Sequence, residues 1–167
     1  MDALILLRPA TADDAPDVAV IWCAGWRDGH LGGVPAELIA ARTPESFNRR
    51  AAERVGDTTV ATIDGSVAGF IMVVGDEVEQ VYVAAEHRGR GVAQVLLTAA
   101  ERQVADNGFG KAWLAVVASN ARARAFYARA GWFDQGLFDH QAYGEAGPIT
   151  VPAHRYVKCV FAHHQVS

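Results

Sequence analysis

Val78-Glu-Gln-Val-Tyr-Val83 runs through a short connection into Arg88-Gly-Arg-Gly-Val-Ala93, and an unbroken helical segment follows as far as Asn107. This stretch decides the fold, because a strand feeds a glycine-rich loop and the loop opens a helix. The first N–H groups of a helix have no internal partners and lie at the positive end of its dipole, so main chain alone can hold a pyrophosphate there. Gly89 and Gly91 keep side chains out of that approach. Beyond the loop, Val92, Leu96, Ala100 and Val104 recur every four residues and lay one apolar stripe on the helix, which Asn107-Gly108 ends. Ala112 to Val117 reads as the next strand, and a right-handed strand–helix–strand crossover makes the two strands parallel.

Three common glycine-rich loops differ in the residues that come after the glycines. No Gly-Lys-Ser/Thr occurs here, which removes the lysine and hydroxyl that a nucleoside-triphosphate loop needs for terminal phosphates and magnesium. A dinucleotide fingerprint would put its third small residue on Gln94, and no acidic residue ends a second strand at the distance that grips a ribose. The remaining pattern, Arg/Gln-x-x-Gly-x-Gly/Ala, is met by Arg88, Gly91 and Ala93.

A second block, Asn120-x-x-Ala123-x-x-Phe126-Tyr127 followed by Gly131-Trp132, stands behind the strand Ala112 to Val117. Together the two blocks resemble the GNAT superfamily of N-acetyltransferases over roughly residues 60 to 135. The opening Leu7-Arg-Pro-Ala-Thr11 with Asp13-Asp14, and the closing Gly147-Pro-Ile-Thr-Val151 with Arg155-Tyr-Val157, resemble family members too. The resemblance implies an α/β (α+β) fold: a central mixed, mostly antiparallel sheet with one parallel, splayed strand pair, flanked by helices. It implies acetyl-CoA as cofactor, its pantetheine arm bonded to the strand edge at Val81, Tyr82 and Val83 and its phosphates on Arg88, Gly89, Arg90, Gly91, Val92 and Ala93. Asn120, Arg124 and Tyr127 join that cofactor set, while Asn120 also reads as a helix N-cap and Arg122 and Arg124 also read as solvated charges on a helix face.

Acetyl transfer to an amine sets its own demands. An ammonium of pKa about 10.4 is deprotonated at pH 7 at a cost of about 4.6 kcal/mol, so a base is required. By resemblance Glu79 is the leading base and Glu77 the reserve, and Glu79 reads equally as an exposed strand carboxylate. Backbone N–H near Tyr82 or Val83, on a bulged fourth strand, stands as the oxyanion donor. Tyr127 stands as the acid that protonates the departing thiolate, against a plain reading as a core aromatic beside Phe126. A phenol of pKa about 10 donating to a thiolate of pKa about 8.5 is uphill by about 2 kcal/mol, small beside an enzymatic barrier.

The acceptor side is less legible. Trp22, Trp26, Arg27, Asp28 and His30 fall in or beside the segment that walls the acceptor pocket in similar proteins. Asp139, His140, Tyr143 and Glu145 fall on an expected loop from Phe138 to Pro148. Trp26, His30, His140 and Tyr143 are the acceptor-contact candidates, with Trp22 read as core and His140 also as a solvated loop histidine. Acidic and aromatic groups there suit a small cationic amine. Direct transfer to a small-molecule primary amine is the reading, since neither motif block holds a cysteine to carry the acetyl group. Alternatives are a protein lysine or N-terminal acetyltransferase, and a coenzyme A binding sensor or partner protein without turnover.

The rest of the chain fits one acetyltransferase domain over residues 1–167: 51% hydrophobic and 20% charged residues suffice for a core. A net charge of -4 argues against nucleic acid as a partner. Cys23 and Cys159 read as small buried hydrophobes in a reduced, cytoplasmic chain without a metal site. The apolar run Met1 to Leu7 is too short for a signal peptide, and no stretch is long enough to span a membrane. Leu4 to Arg8 reads as a strand, and Asp13 or Asp14 caps a helix carrying Val18, Ile21, Trp22 and Gly25. Gly29, Gly32, Gly33 and Pro35 are expected to break any helix between Trp26 and Pro35, and Pro44 to Val55 is helical. Thr58 to Ile63 and Val67 to Val74 form a hairpin about Asp64-Gly65, and Trp132 to Phe138 with Thr150 to Val160 form a terminal antiparallel pair, which in similar proteins can carry a homodimer.

Overall fold

The computed structural model describes residues 4–161, so the first three residues of the N-terminal apolar run, and the ends of the expected 1–167 domain, lie outside the described residues. In chain order the elements are β1 (Ile5–Pro9), α1 (Ala15–His30), α2 (Ala36–Ala41), α3 (Pro44–Glu53), β2 (Thr58–Ile63), β3 (Ser66–Val74) and β4 (Glu77–Val83). They continue with α4 (Val92–Asp106), β5 (Lys111–Val117), α5 (Ala121–Arg129), β6 (Phe133–Ala142) and β7 (Ile149–Cys159). One seven-stranded sheet runs in the order β1-β2-β3-β4-β5-β7-β6. Every pairing is antiparallel except β4 with β5. The mixed, mostly antiparallel sheet expected from the sequence is therefore the observed one.

Positive φ at Asp64 and Gly65 makes the tight turn of the β2–β3 hairpin. β4 and β5 pair only at Glu77↔Trp113. Past that point they diverge, and the edge of β4 from Gln80 to Val83 opens on a cleft.

A bulge sets what β4 shows to each side. Gln80 pairs with Met72 and Val78 with Val73, so Glu79 is the extra residue. Strict alternation would put residues 77, 79, 81 and 83 on one face. Instead Val78, Val81 and Val83 all pack into the core beneath α4, with Leu96, Ala100 and Tyr127, while Tyr82 packs with Trp22, Phe47 and Phe70 beneath α1 and α3. The bulge thus turns Glu77 and Glu79 to the α1/α3 side. The fourth strand is bulged, as expected, and the bulge lies at Glu79, upstream of Tyr82 and Val83.

Other expectations change. The helix runs on through Gly25 and Gly29 to His30, and a further short helix, α2, precedes α3. Asp14 does not cap α1 with its side chain: its carboxylate accepts from Arg8 at 2.6 and 2.8 Å and from the Thr11 N–H at 2.8 Å. β6 extends to Ala142, so His140 lies on a strand and the connecting loop spans only residues 143–148. Cys159 is exposed and Cys23 half-buried, both free thiols. Among the described residues no helix is long and apolar enough to cross a membrane.

Candidate active site

Two cavities meet where β4 and β5 part. The first, about 520 Å³, is walled by Val81, Tyr82 and Val83, floored by Arg88, Gly89, Gly91, Val92 and Ala93, and closed by Asn120, Ala123, Phe126 and Tyr127. The second, about 300 Å³, lies under α1 and α3 and holds Trp26, His30, Glu77, Glu79, His140 and Tyr143. Val81, Tyr82, Asn120, Ala123 and Tyr127 line both. The fold therefore brings the two groups of sequence candidates to opposite sides of one five-residue junction.

Local sequence builds the first cavity. Gly89 and Gly91 adopt φ of 78° and 82°, a left-handed conformation that side chains resist, and a Cβ on either would enter open space. The first α-helical bond of α4 runs from the Val95 N–H to the Gly91 carbonyl at 3.2 Å, which leaves the N–H groups before it without helical partners. His87 lines the same cavity with Nδ1 buried and unpartnered among the described residues. Asn120 caps α5 by accepting from the Ala123 N–H at 3.1 Å, and it lines the junction as well.

The arginines separate. Arg88 lines the cleft and pairs with Asp28 at 2.9 Å, joining the loop to α1. Arg122 and Arg129 also line it, whereas Arg90 does not. Arg124 turns away to bond the Tyr156 hydroxyl and Asp134, each at 3.3 Å, and so fastens α5 to β6 and β7. Arg124, expected to hold the cofactor, is thus a half-exposed clamp between elements, and Arg122 faces the cleft.

In the second cavity His30 stacks on Trp26 with ring centroids 4.7 Å apart, and its Nδ1 lies 2.9 Å from the Trp26 carbonyl. A carbonyl only accepts, so Nδ1 carries the proton and Nε2 keeps its lone pair. Burial lowers the His30 pKa to about 4, and burial lowers His140 too, so both rings are neutral at pH 7. Burial, then the charges of Glu79 and Asp76, raise Glu77 to about 7. Glu79 pairs with Arg54, which also holds Asp57 at 3.0 Å. Burial raises both the Tyr82 and Tyr127 phenols.

Trp22 is fully buried and packs edge-on against Phe47 and Phe70 while forming part of the cavity floor. Glu145 pairs with Arg49 at 2.6 Å outside the cavity, and neither Asp139 nor Arg27 lines it. The carboxylates that line the cavity are Glu77 and Glu79 rather than Asp139 or Glu145, and Arg42, Arg50 and Arg54 face them. Sequence reading missed these arginines, although Arg50 and Arg54 follow the core residue Phe47 at helical spacing and so belong to its inward stripe.

This arrangement of glycine-loop helix, parted parallel strands and α5 closure agrees with a family model. Residues 21–132 match the acetyltransferase (GNAT) family, and the chain belongs to that family. An uncharacterised N-acetyltransferase of Mycobacterium tuberculosis is 33% identical over 106 residues, which are 59% of this chain and 64% of the relative. The chain thus matches a little under two thirds of that relative's length. Among solved structures, an N-acetyltransferase of Rhodopseudomonas palustris superposes with a TM-score of 0.73 at 23% identity, covering 96% of this chain and 98% of that one. YncA of Salmonella typhimurium, solved with its cofactor acetyl-CoA, superposes with a TM-score of 0.69 at 16% identity, covering 99% of both chains.

Proposed function

We propose that the protein transfers the acetyl group of acetyl-CoA to a primary amine of a small molecule, directly, within a ternary complex. The observation that carries this reading is the junction: a phosphate-cradling cavity and a cavity holding two carboxylates share Tyr82 and Tyr127. Acetyl-CoA supplies an activated acyl carbon and a thiolate leaving group. The cavity suits that cofactor, since the helix start offers unpartnered N–H groups, the two glycines leave the approach open, and His87 holds an unpartnered ring nitrogen.

In this mechanism Gly89 to Ala93 hold the pyrophosphate, and the free edge of β4 at Val81 to Val83 holds the pantetheine arm as an added strand would. Main-chain N–H beside Tyr82 steadies the oxyanion. Glu79, the bulged residue just before Gln80 and so about 5 Å from Val81 along the strand, takes the ammonium proton through one water. Glu77, about 10 Å away once the bulge is allowed for, is the next proton acceptor. Tyr127 gives its proton to the thiolate. Burial makes that phenol a weaker acid than in water, but the same dry site raises the thiol with it, so the mismatch stays small.

The test is free thiol release from acetyl-CoA against a panel of amino acids, small amines, polyamines, aminoglycosides and lysine or N-terminal peptides. Acceptor-dependent release with a small amine is expected. Release only with peptides overturns the small-molecule reading, and coenzyme A binding without release for any acceptor favours a sensor.

A further inference from the structure

We propose that the acceptor carries an anionic group beside its amine, as an amino acid does, and that Arg42 and Arg50 bind that group. The inference rests on the acetyltransferase reading above and narrows its acceptor class.

The second cavity presents three guanidiniums against two carboxylates. Arg54 is already paired with Glu79 and Asp57. Neither Arg42 nor Arg50 makes an ion pair among the described residues. Arg42 is only 6% exposed. A guanidinium cannot escape burial by losing its proton at neutral pH, so two such groups facing one enclosed space call for an anion from outside the chain.

Their setting prepares them for a planar anion. Arg50 lies over the Trp22 ring at 4.4 Å and 5.9 Å from the Tyr143 ring centroid. Stacking occupies the flat face of a guanidinium and leaves its in-plane N–H fork free for a bidentate carboxylate. Burial lowers the pKa of both arginines, and the charges of Arg42 and Arg54 lower Arg50 further. Glu77, raised to about 7, supplies only part of a charge at neutral pH.

Geometry then orients the acceptor. Arg42 follows α2 and Arg50 sits on α3, while Tyr127 stands on α5 at the junction. An amino acid with its carboxylate on the arginines points its amine toward the junction. A volume of about 300 Å³ is at the lower end for small-ligand pockets. Polyamines and aminoglycosides would bring further cations against Arg42 and Arg50, and a peptide N-terminus has no carboxylate next to its amine.

The experiment is calorimetric titration of the coenzyme A complex with paired products, N-acetyl amino acids and their N-acetyl amides, over a range of side chains. Thiol release is followed in parallel with the matching free amino acids, amino-acid amides and decarboxylated amines. Carboxylates are expected to bind about 10- to 100-fold more tightly than amides for at least one side chain. Arg50→Gln should collapse that ratio toward one, and Arg50→Lys, which keeps charge but loses the fork, should fall between. Equal binding of acid and amide, no binding of either across the range, or a ratio untouched by Arg50→Gln would overturn the inference. Brisk thiol release from amines without a carboxylate, together with equal binding, sinks this inference and leaves the acetyltransferase standing. Carboxylate discrimination without thiol release from any amine does the reverse.

Discussion

A Cβ on Gly25 would lie 2.3 Å from Tyr82 Cδ1 and 2.9 Å from its Cε1, so α1 approaches β4 as closely as it does because residue 25 has no side chain. One turn later, a Cβ on Gly29 would meet Asn120 Nδ2 at 2.7 Å. These glycines share one helical face and seat α1 against two residues of the junction. Gly25→Ala gains about 1 kcal/mol of helix propensity but overpacks an aromatic ring, which costs about 1–3 kcal/mol. A net loss of about 1 kcal/mol in urea unfolding is expected, with lower turnover as Tyr82 shifts. A variant more stable than the parent, with unchanged kinetics, would show that the close approach is dispensable.

Tyr127→Phe tests the proposed acid step. The ring packs against Phe126, Trp132 and Tyr156, and phenylalanine preserves those contacts. Turnover should fall about 100-fold while coenzyme A affinity changes little. Because burial raises the Tyr127 phenol, the parent enzyme should show no alkaline loss of activity from this group up to about pH 10. An unchanged rate in the variant across pH removes Tyr127 from the chemistry.

The segment from Val78 to Val117 was legible because three local signals agree: short valine-rich runs, paired glycines, and an apolar stripe of period near four. The hairpin at Asp64-Gly65 and the α5 cap at Asn120 were legible for the same reason. What sequence hid was set by partners distant in the chain. Gly29 reads locally as a helix breaker, and only the fold shows that it lies against the Asn120 side chain. Arg124 and Arg122 are alike in sequence, and the Tyr156 hydroxyl and Asp134 draw Arg124 away from the cleft. The bulge at Glu79 depends on its register with Met72 and Val73, and that register decides which side of the sheet receives the two carboxylates.

His30 makes stability depend on acid. Its folded pKa is about 4 against an ordinary 6.5, so the unfolded chain binds more protons between those values. The contribution, up to about 3 kcal/mol, is complete above pH 6.5 and lost as pH falls toward 4. Glu77, raised to about 7, acts in the opposite sense over the same range, and Asp14, held by Arg8 to about 2, titrates below it. The difference between the parent and His30→Phe therefore isolates the histidine. Urea unfolding from pH 7.5 to 4.5 should show the parent losing stability that the variant keeps, and parallel curves would mean that the ring is not held neutral by the fold.

The two carboxylates of β4 can be told apart by kinetics, because position favours one and protonation the other. Glu79 is near enough to Val81 to reach an attacking amine through a single water in this reading, while Glu77 lies farther along the strand, beyond the bulge. Yet Glu77 is the group whose pKa, pushed to about 7 by burial and then by Glu79 and Asp76, falls in the working range. Below about pH 7 Glu77 is protonated and cannot receive a proton passed on by Glu79; above it the path is open, so kcat/KM should rise through about pH 7. Glu79→Gln should lower kcat about 100-fold or more at every pH, whereas Glu77→Gln should leave a slower enzyme whose limb has moved away from 7. If Glu79→Gln keeps the parent profile, Glu79 is not the proton acceptor. If the limb stays at 7 in Glu77→Gln, it belongs to another group, and the relay along β4 fails even though Glu79 still stands beside the amine.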